Sequence, residues 1–258
     1  MNQYDAIVIG AGHNGLTNGA YLAKAGLRVA VLERNPYIGG ATVSRELHKG
    51  WYYSNCSYVS SLLRPEITRD LELPRHGLQV VPFGGGATFM RNGDHFGTYA
   101  DHDRHYREIA RHSKRDANAY DRYAADTSLQ TKLIRPYLMR TPPDPTSLKP
   151  RDLRDLMEFA QSFMSLGEEK LLDTIKFWTA SVGDYLNEYF ETDVIKAHMA
   201  GSGIIGTALG VYSPGTAYVL LHHYMGDVDG NVGAWGFARG GMGAVSYTHL
   251  TLPTMMSV

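Results

Sequence analysis

The alternation of apolar and polar residues changes period several times along this chain, and each change marks an element. Residues 5–9 (DAIVI) form a short β-branched run, the pattern of a strand buried on both faces of a sheet. Residues 16–25 then place Leu16, Ala20 and Ala23 on one helical face, and Gly26 stands where a left-handed helix C-terminus is wanted. A second buried run, residues 27–33 (LRVAVLE), ends in Glu33.

Farther along, residues 77–101 alternate with period two and carry turn signals at 84–86 and at Asn92-Gly93. They predict short antiparallel strands with a hairpin at 91–94. From 103 to about 137 the period is helical with a charged outer face, and residues 140–150 (RTPPDPTSLKP) break it. Residues 151–191 predict two or three helices, with Phe159, Phe163, Leu171, Leu172, Ile175, Phe177 and Trp178 on a bulky apolar face. Residues 199–221 are uncharged and long enough to span a bilayer. Five glycines and the Ser213-Pro214-Gly215 turn divide them, which predicts two buried segments and no transmembrane segment.

Composition narrows the class. Hydrophobic residues make up 43% and charged residues 20% of 258 residues, as in a globular protein able to bury a core. A net charge of −1 gives no electrostatic reason for a nucleic-acid partner. Cys56 is the one cysteine, which excludes an internal disulfide and a CxxC dithiol, and it is expected to be a small buried residue. The start MNQYDAIVIG has neither a basic segment nor an apolar leader, so a cytoplasmic, bacterial-type protein is expected.

The candidate chemistry begins between the first strand and the helix, in GAGHNG at residues 10–15. Gly10 permits the tight turn, Gly12 lets the backbone approach a pyrophosphate, and Gly15 lets the helix pack closely on the strands. The helix N-terminus offers free N–H groups and the positive end of its dipole. Glu33 closes the second strand, where its carboxylate can accept both ribose hydroxyls of an adenosine half and would repel a 2′-phosphate.

Residues 33–44 (ERNPYIGGATVS) add a glycine pair after that acid. With GAGHNG this resembles the FAD-binding signature of the flavin amine oxidase and phytoene desaturase superfamily, a pair that NAD-binding Rossmann domains generally lack. The resemblance implies that Gly10, Gly12 and Gly15, with His13 and Asn14, hold the pyrophosphate of FAD and that Glu33 holds its ribose. It places Arg34 along the adenosine, and Gly39, Gly40, Ala41 and Thr42 toward the isoalloxazine. Ala41 stands where the superfamily frequently has an arginine. Residues 230–246 (GNVGAWGFARGGMGAVS) resemble a second landmark, an aromatic-rich strand entering a Gly-Gly-Met-Gly turn and a helix near the flavin, which brings in Gly241 and Met242. Together with residues 213–226 (SPGTAYVLLHHYMG) the wording is closest to the phytoene desaturase-like group.

What the resemblance implies is an α/β fold, a Rossmann-type FAD/NAD(P)-binding domain with an interleaved α+β substrate domain. Residues 1–76 would be the FAD-binding segment, 77–229 mostly the substrate or cap domain, and 230–244 the return toward the flavin. Residues 245–254 (VSYTHLTLPT) resemble instead a translated sequencing adapter, so 245–258 are expected to be a non-native tail that favours extended structure over a helix. The expected activity at full length is FAD-dependent transfer of a hydride from an apolar or amine small molecule, with oxygen, a quinone or another acceptor reoxidising the flavin. This stretch alone is expected to lack turnover. The alternative is a flavin-binding regulatory module without catalysis. No general base is identifiable, and peripheral membrane contact stays open.

Two histidine groups call for a bland reading. His102, His105 and His112 lie near carboxylates, but basic residues alternate with them, so a solvated helix face is expected and no metal. His222 and His223, being adjacent, point apart on a helix and are expected to do no joint chemistry.

Overall fold

A computed structural model describes residues 3–250 and 256–257. In chain order the elements are β1 (Ala6–Ile9), α1 (His13–Lys24), β2 (Val29–Leu32), β3 (Ser44–His48), β4 (Trp51–Ser54), α2 (Pro65–Asp70), β5 (Val80–Pro82), β6 (Gly85–Phe89) and β7 (His95–Tyr99). Next come α3 (His102–His112), α4 (Lys114–Ile134), α5 (Pro150–Met164), α6 (Glu168–Thr179), α7 (Val182–Asn187), α8 (Asp193–Ile204) and α9 (Thr216–Tyr224). The last are β8 (Asp227–Val228), β9 (Asn231–Val232), β10 (Gly236–Ala238), α10 (Met242–Leu250) and β11 (Met256–Ser257). They form two compact units, Met1–Phe83 with Gly226–Val258, and Gly84–Met225.

In the first unit β1 and β2 pair in parallel, from Ala6 opposite Val29 to Ile9 opposite Leu32. Helix α1 joins them, and its Leu16 and Ala23 pack on Val8, Val29 and Val31. Gly26 ends it at φ +90°, the left-handed turn expected there. Beyond β2, Met256 lies opposite Ala30 in β11. The sequence reads β1 as buried on both faces, but Ile7 is 62% and Ile9 88% exposed. Helix α1 covers one side, and among the described residues nothing covers the other. Strand β5 belongs to this unit because it pairs with β10, Val81 opposite Phe237. Cys56 lies exposed in the loop after β4, where the sequence suggests a buried residue.

The helix after the Gly-Gly-Met-Gly turn also departs from expectation. It does not give way after Val245 but continues as α10 to Leu250, burying Val245, Thr248 and His249. Packing against α1, β3 and the turn at Gly40–Thr42 supplies the reason. Burial of one face outweighs the weak helix preference of its threonine and β-branched residues. Pro253 lies outside the described residues.

The second unit opens with the β6–β7 hairpin, turning at Asn92-Gly93 as expected. Gly85 and Gly86 lie in β6 and not in a turn; a Cβ on Gly85 would stand 1.9 Å from the Thr98 carbonyl oxygen. Asp101 caps α3 by accepting the Arg104 N–H at 2.7 Å, and Ser113 caps α4 by accepting that of Asp116 at 3.1 Å. The buried Asp116 carboxylate accepts the N–H groups of Glu191 and Thr192 and the Thr192 hydroxyl at 2.7, 3.0 and 2.6 Å, tying α4 to the entry of α8.

Residues 151–191 fold as three helices. Phe163 and Phe177 enter the core, with Phe159, Leu171 and Trp178 packed on it, whereas Leu172 and Ile175 face outward on the uncovered side of α6. Helices α8 and α9 are the two segments foreseen in residues 199–221, and no helix among the described residues is long and apolar enough to cross a membrane.

Helix α3 corrects the solvated-face reading. His105 is 5% exposed, its ring 6.2 Å from Phe96 and 4.7 Å from Tyr120. His112 and His198 lie 5.7 and 5.0 Å from the same Phe96 ring. His102 alone of the three on α3 stays in water, 2.9 Å from Asp121. The cause is periodicity: His105, Ile109 and His112 recur at helical spacing on the buried face. Among the described residues no three metal-ligating side chains gather.

Burial, with repulsion from His198, holds the His105 imidazole below the ordinary histidine range, and burial does the same for His198. Both are neutral in the folded unit, while the unfolded chain takes up protons as pH falls past their ordinary value. Their stabilisation is therefore full above that value and is lost as pH falls through the lowered folded values. Melting temperature should begin to drop as pH falls below about 6.5, before most carboxylates titrate. His105→Phe should flatten that step, and pH-independent melting of the parent protein across the window would contradict it.

Candidate cofactor site

Two backbone loops meet in the first unit, the one from β1 into α1 and the one after β2. Gly39 donates its N–H to the Ala11 carbonyl at 2.8 Å, and Gly12 and Gly39 form a single parallel bridge. A Cβ on Gly40 would come within 3.1 Å of the Gly12 Cα, so the loops approach this closely because residue 40 is bare. A Cβ on Gly15 would lie 2.0 Å from the Gly10 carbonyl oxygen, so α1 can begin where it does only with glycine there. His13 and Asn14 are exposed in the first turn of α1, and Gly12 gives that helix no side-chain cap. Its leading N–H groups are free to receive an anion.

Glu33 fastens the two ends of this arrangement. Its Oε2 accepts the Ala11 N–H at 2.9 Å, and its Oε1 accepts the Asn35 N–H and side-chain amide, each at 2.9 Å. The backbone N–H of Asn35, then that of Ala11, hold its carboxyl below the usual carboxylate range, which keeps it ionised at neutral pH. Oε2 retains acceptor capacity for a hydroxyl.

Most of the residues singled out from the sequence come together here. Gly10 and Gly12 lie in the first loop, with His13, Asn14 and Gly15 in the first turn of α1, Glu33 and Arg34 directly follow β2, and Gly39, Gly40 and Ala41 form the other loop. Thr42 turns inward; its hydroxyl donates to the Gly39 carbonyl at 2.8 Å and closes the glycine turn. Gly241 packs against Ser44, whose Oγ would stand 2.5 Å from a Cβ there. The Met242 side chain is buried with Ala20, Leu71 and Ala238, and its N–H donates to Ser54 Oγ at 3.3 Å. The structure thus gives Met242 a packing position. Sequence reasoning missed Asn35, although Asn35-Pro36 is a turn signal. It also missed Ser44 and Ser54, hydroxyls on neighbouring strands that brace the second glycine turn.

Comparison with known proteins fits this geometry. Residues 8–70 match the NAD(P)-binding Rossmann-like domain. Over 95% of its length the chain is 38% identical to pyridine nucleotide-disulfide oxidoreductase domain-containing protein 2 of Mus musculus and 37% identical to that of Rattus norvegicus, covering 44% of each. It is 36% identical over 121 residues to one of the subunits of limonene dehydrogenase from Castellaniella defragrans, which is 46% of this chain and 22% of that protein. A redesigned putrescine oxidase superposes with a TM-score of 0.54 at 18% identity, over 96% of this chain and 48% of that one, a likeness of fold. The chain spans less than half the length of these relatives.

Gly15→Ala tests the packing argument. Forcing a Cβ against the Gly10 carbonyl should cost about 1–3 kcal/mol, the scale of overpacking in a tight core. A denaturant melt in which Gly15→Ala matches the parent protein would show that the loop has room the geometry denies.

Proposed function

We propose that this chain, a relative of pyridine nucleotide-disulfide oxidoreductase domain-containing protein 2 over 95% of its length, carries the FAD-holding part of an oxidoreductase. The observation that carries the reading is the contact between the two glycine loops, with the Glu33 carboxylate behind them. A Rossmann turn alone serves any dinucleotide, whereas the second loop, pressed against the first at Gly40, extends the bare backbone beyond the pyrophosphate as a longer flavin dinucleotide requires.

In this reading the N–H groups at the start of α1 hold the pyrophosphate, helped by Gly10 and Gly12. Glu33 accepts the ribose hydroxyls once the Asn35 side chain yields its place, and Arg34 lies along the adenosine. Gly39, Gly40 and Ala41 carry the backbone toward the flavin, with Gly241 behind them. Bound flavin would supply hydride acceptance; the protein's share is placement and exclusion of water. The substrate class proposed is an apolar or amine small molecule, its apolar side favoured by a relative named for limonene. None of the described residues is assigned as a general base.

Glu33→Ala provides the test, made in the protein at the full length of its relatives. Hydrogen bonds to a charged acceptor are the stronger kind, so losing those to the ribose should weaken FAD roughly tenfold or more. Unchanged FAD affinity in a folded Glu33→Ala protein would sink the ribose assignment. Anaerobic reduction of the bound flavin by candidate substrates then separates an oxidoreductase from a flavin-binding module without turnover.

A further inference from the structure

The second unit contains a crevice of about 420 Å³ between α4, α6 and the end of α7. One wall is aromatic, formed by Phe177, Tyr185 and Tyr189. The rim is charged, with carboxylates Asp126, Glu169, Asp173 and Glu188 against the cations Arg122, Lys170 and Lys176. Some of these charges are already engaged. Lys176 pairs with Glu188 at 2.7 Å, and the Arg122 guanidinium lies 4.7 Å over the Tyr189 ring. Asp126 accepts the Tyr189 hydroxyl on one oxygen at 2.8 Å, and its other oxygen remains to accept from the crevice. With Lys176 and Glu188 cancelling, what remains is Asp126, Glu169 and Asp173 against Arg122 and Lys170, one negative charge in excess beside an electron-rich wall.

A separate observation lies deeper. Gln130 lines the same crevice and is 5% exposed. Its Nε2 donates to the Thr174 hydroxyl at 3.0 Å, and that hydroxyl itself donates to the Lys170 carbonyl at 2.8 Å. Because the hydroxyl proton is committed, the Gln130 amide cannot be turned over to use its oxygen there. Its Oε1 is left as a buried acceptor with no partner. An acceptor in that state calls for an N–H or O–H donor.

We propose that this crevice is a binding site for a small organic cation rich in N–H donors, of the guanidinium or alkylammonium class, separate from the dinucleotide loops. Gln130 Oε1 takes one donor, the free oxygen of Asp126 takes another, and the aromatic wall favours the charge. Arg122 over Tyr189 is the same recognition made within the chain.

The test is calorimetric titration of methylguanidinium chloride into the protein, with potassium chloride and neutral propanamide as controls. Saturable binding at a single site with a roughly millimolar dissociation constant is expected, and no response to propanamide. Asp126→Asn, which keeps the shape and the Tyr189 contact, should weaken it about tenfold, as should Gln130→Leu. Should Gln130→Leu fail to fold, Asp126→Asn decides alone. No saturable heat, an equal response to propanamide, or undiminished binding in the folded Asp126→Asn protein would overturn the proposal; the first of these would mean that water alone satisfies Gln130.

Discussion

Two loops can bring one Cα directly against another only where a Cβ is missing, and the approach of Gly40 to Gly12 is the constraint around which the first unit is built. Given that approach, the Gly39 N–H reaches the Ala11 carbonyl, and Glu33 reaches the Ala11 N–H from the other side. One residue, Ala11, is thereby held through both its backbone groups. The start of α1 is fixed in place with its leading N–H groups still unspent. A loop fixed in advance loses little entropy when an anion arrives, which is how a short stretch of backbone can bind a large dinucleotide.

The helical unit shows the opposite use of polar groups. Asp116 is fully buried yet meets three donors, so it fastens α4 to α8 and costs little to bury. Gln130 is nearly as buried and has one bond where it could make more. The histidines around Phe96 lie between these cases: apolar enough to pack when neutral, and a liability when charged. Buried polar groups of these three kinds set where the unit is rigid, where it can take a ligand and where it responds to acid.

The first forty residues were legible because each local signal agreed with the next. The β-branched runs, the helical face of Leu16, Ala20 and Ala23, Gly26 and Glu33 all point to a parallel unit, and it is there. The hairpin at Asn92-Gly93 was legible for the same reason. What failed was whatever depends on which face a neighbour covers. The apolar run of β1 suggests cover on both faces, and Ile9 proved exposed. The composition of α3 looks like solvent, yet His105 and His112 recur with Ile109 on the buried side. Thr42 and Met242 are a different case: the resemblance places them near the cofactor, and the structure shows only that their side chains close a turn and fill a core. A motif fixes where the backbone goes more reliably than where each side chain points. Asn35, Ser44 and Ser54 went unread because a single hydroxyl or amide carries no periodic signal.

The central claim is that the paired loops hold a flavin dinucleotide and not a nicotinamide one. The most direct measurement is to purify the protein at the length of its relatives, denature it, and identify the released cofactor by chromatography and absorbance. FAD is the expected result, released without covalent attachment, in equal amount to the chain. Recovery of NAD or NADP in its place, or of a correctly folded protein that takes up no dinucleotide when FAD is supplied, would contradict it.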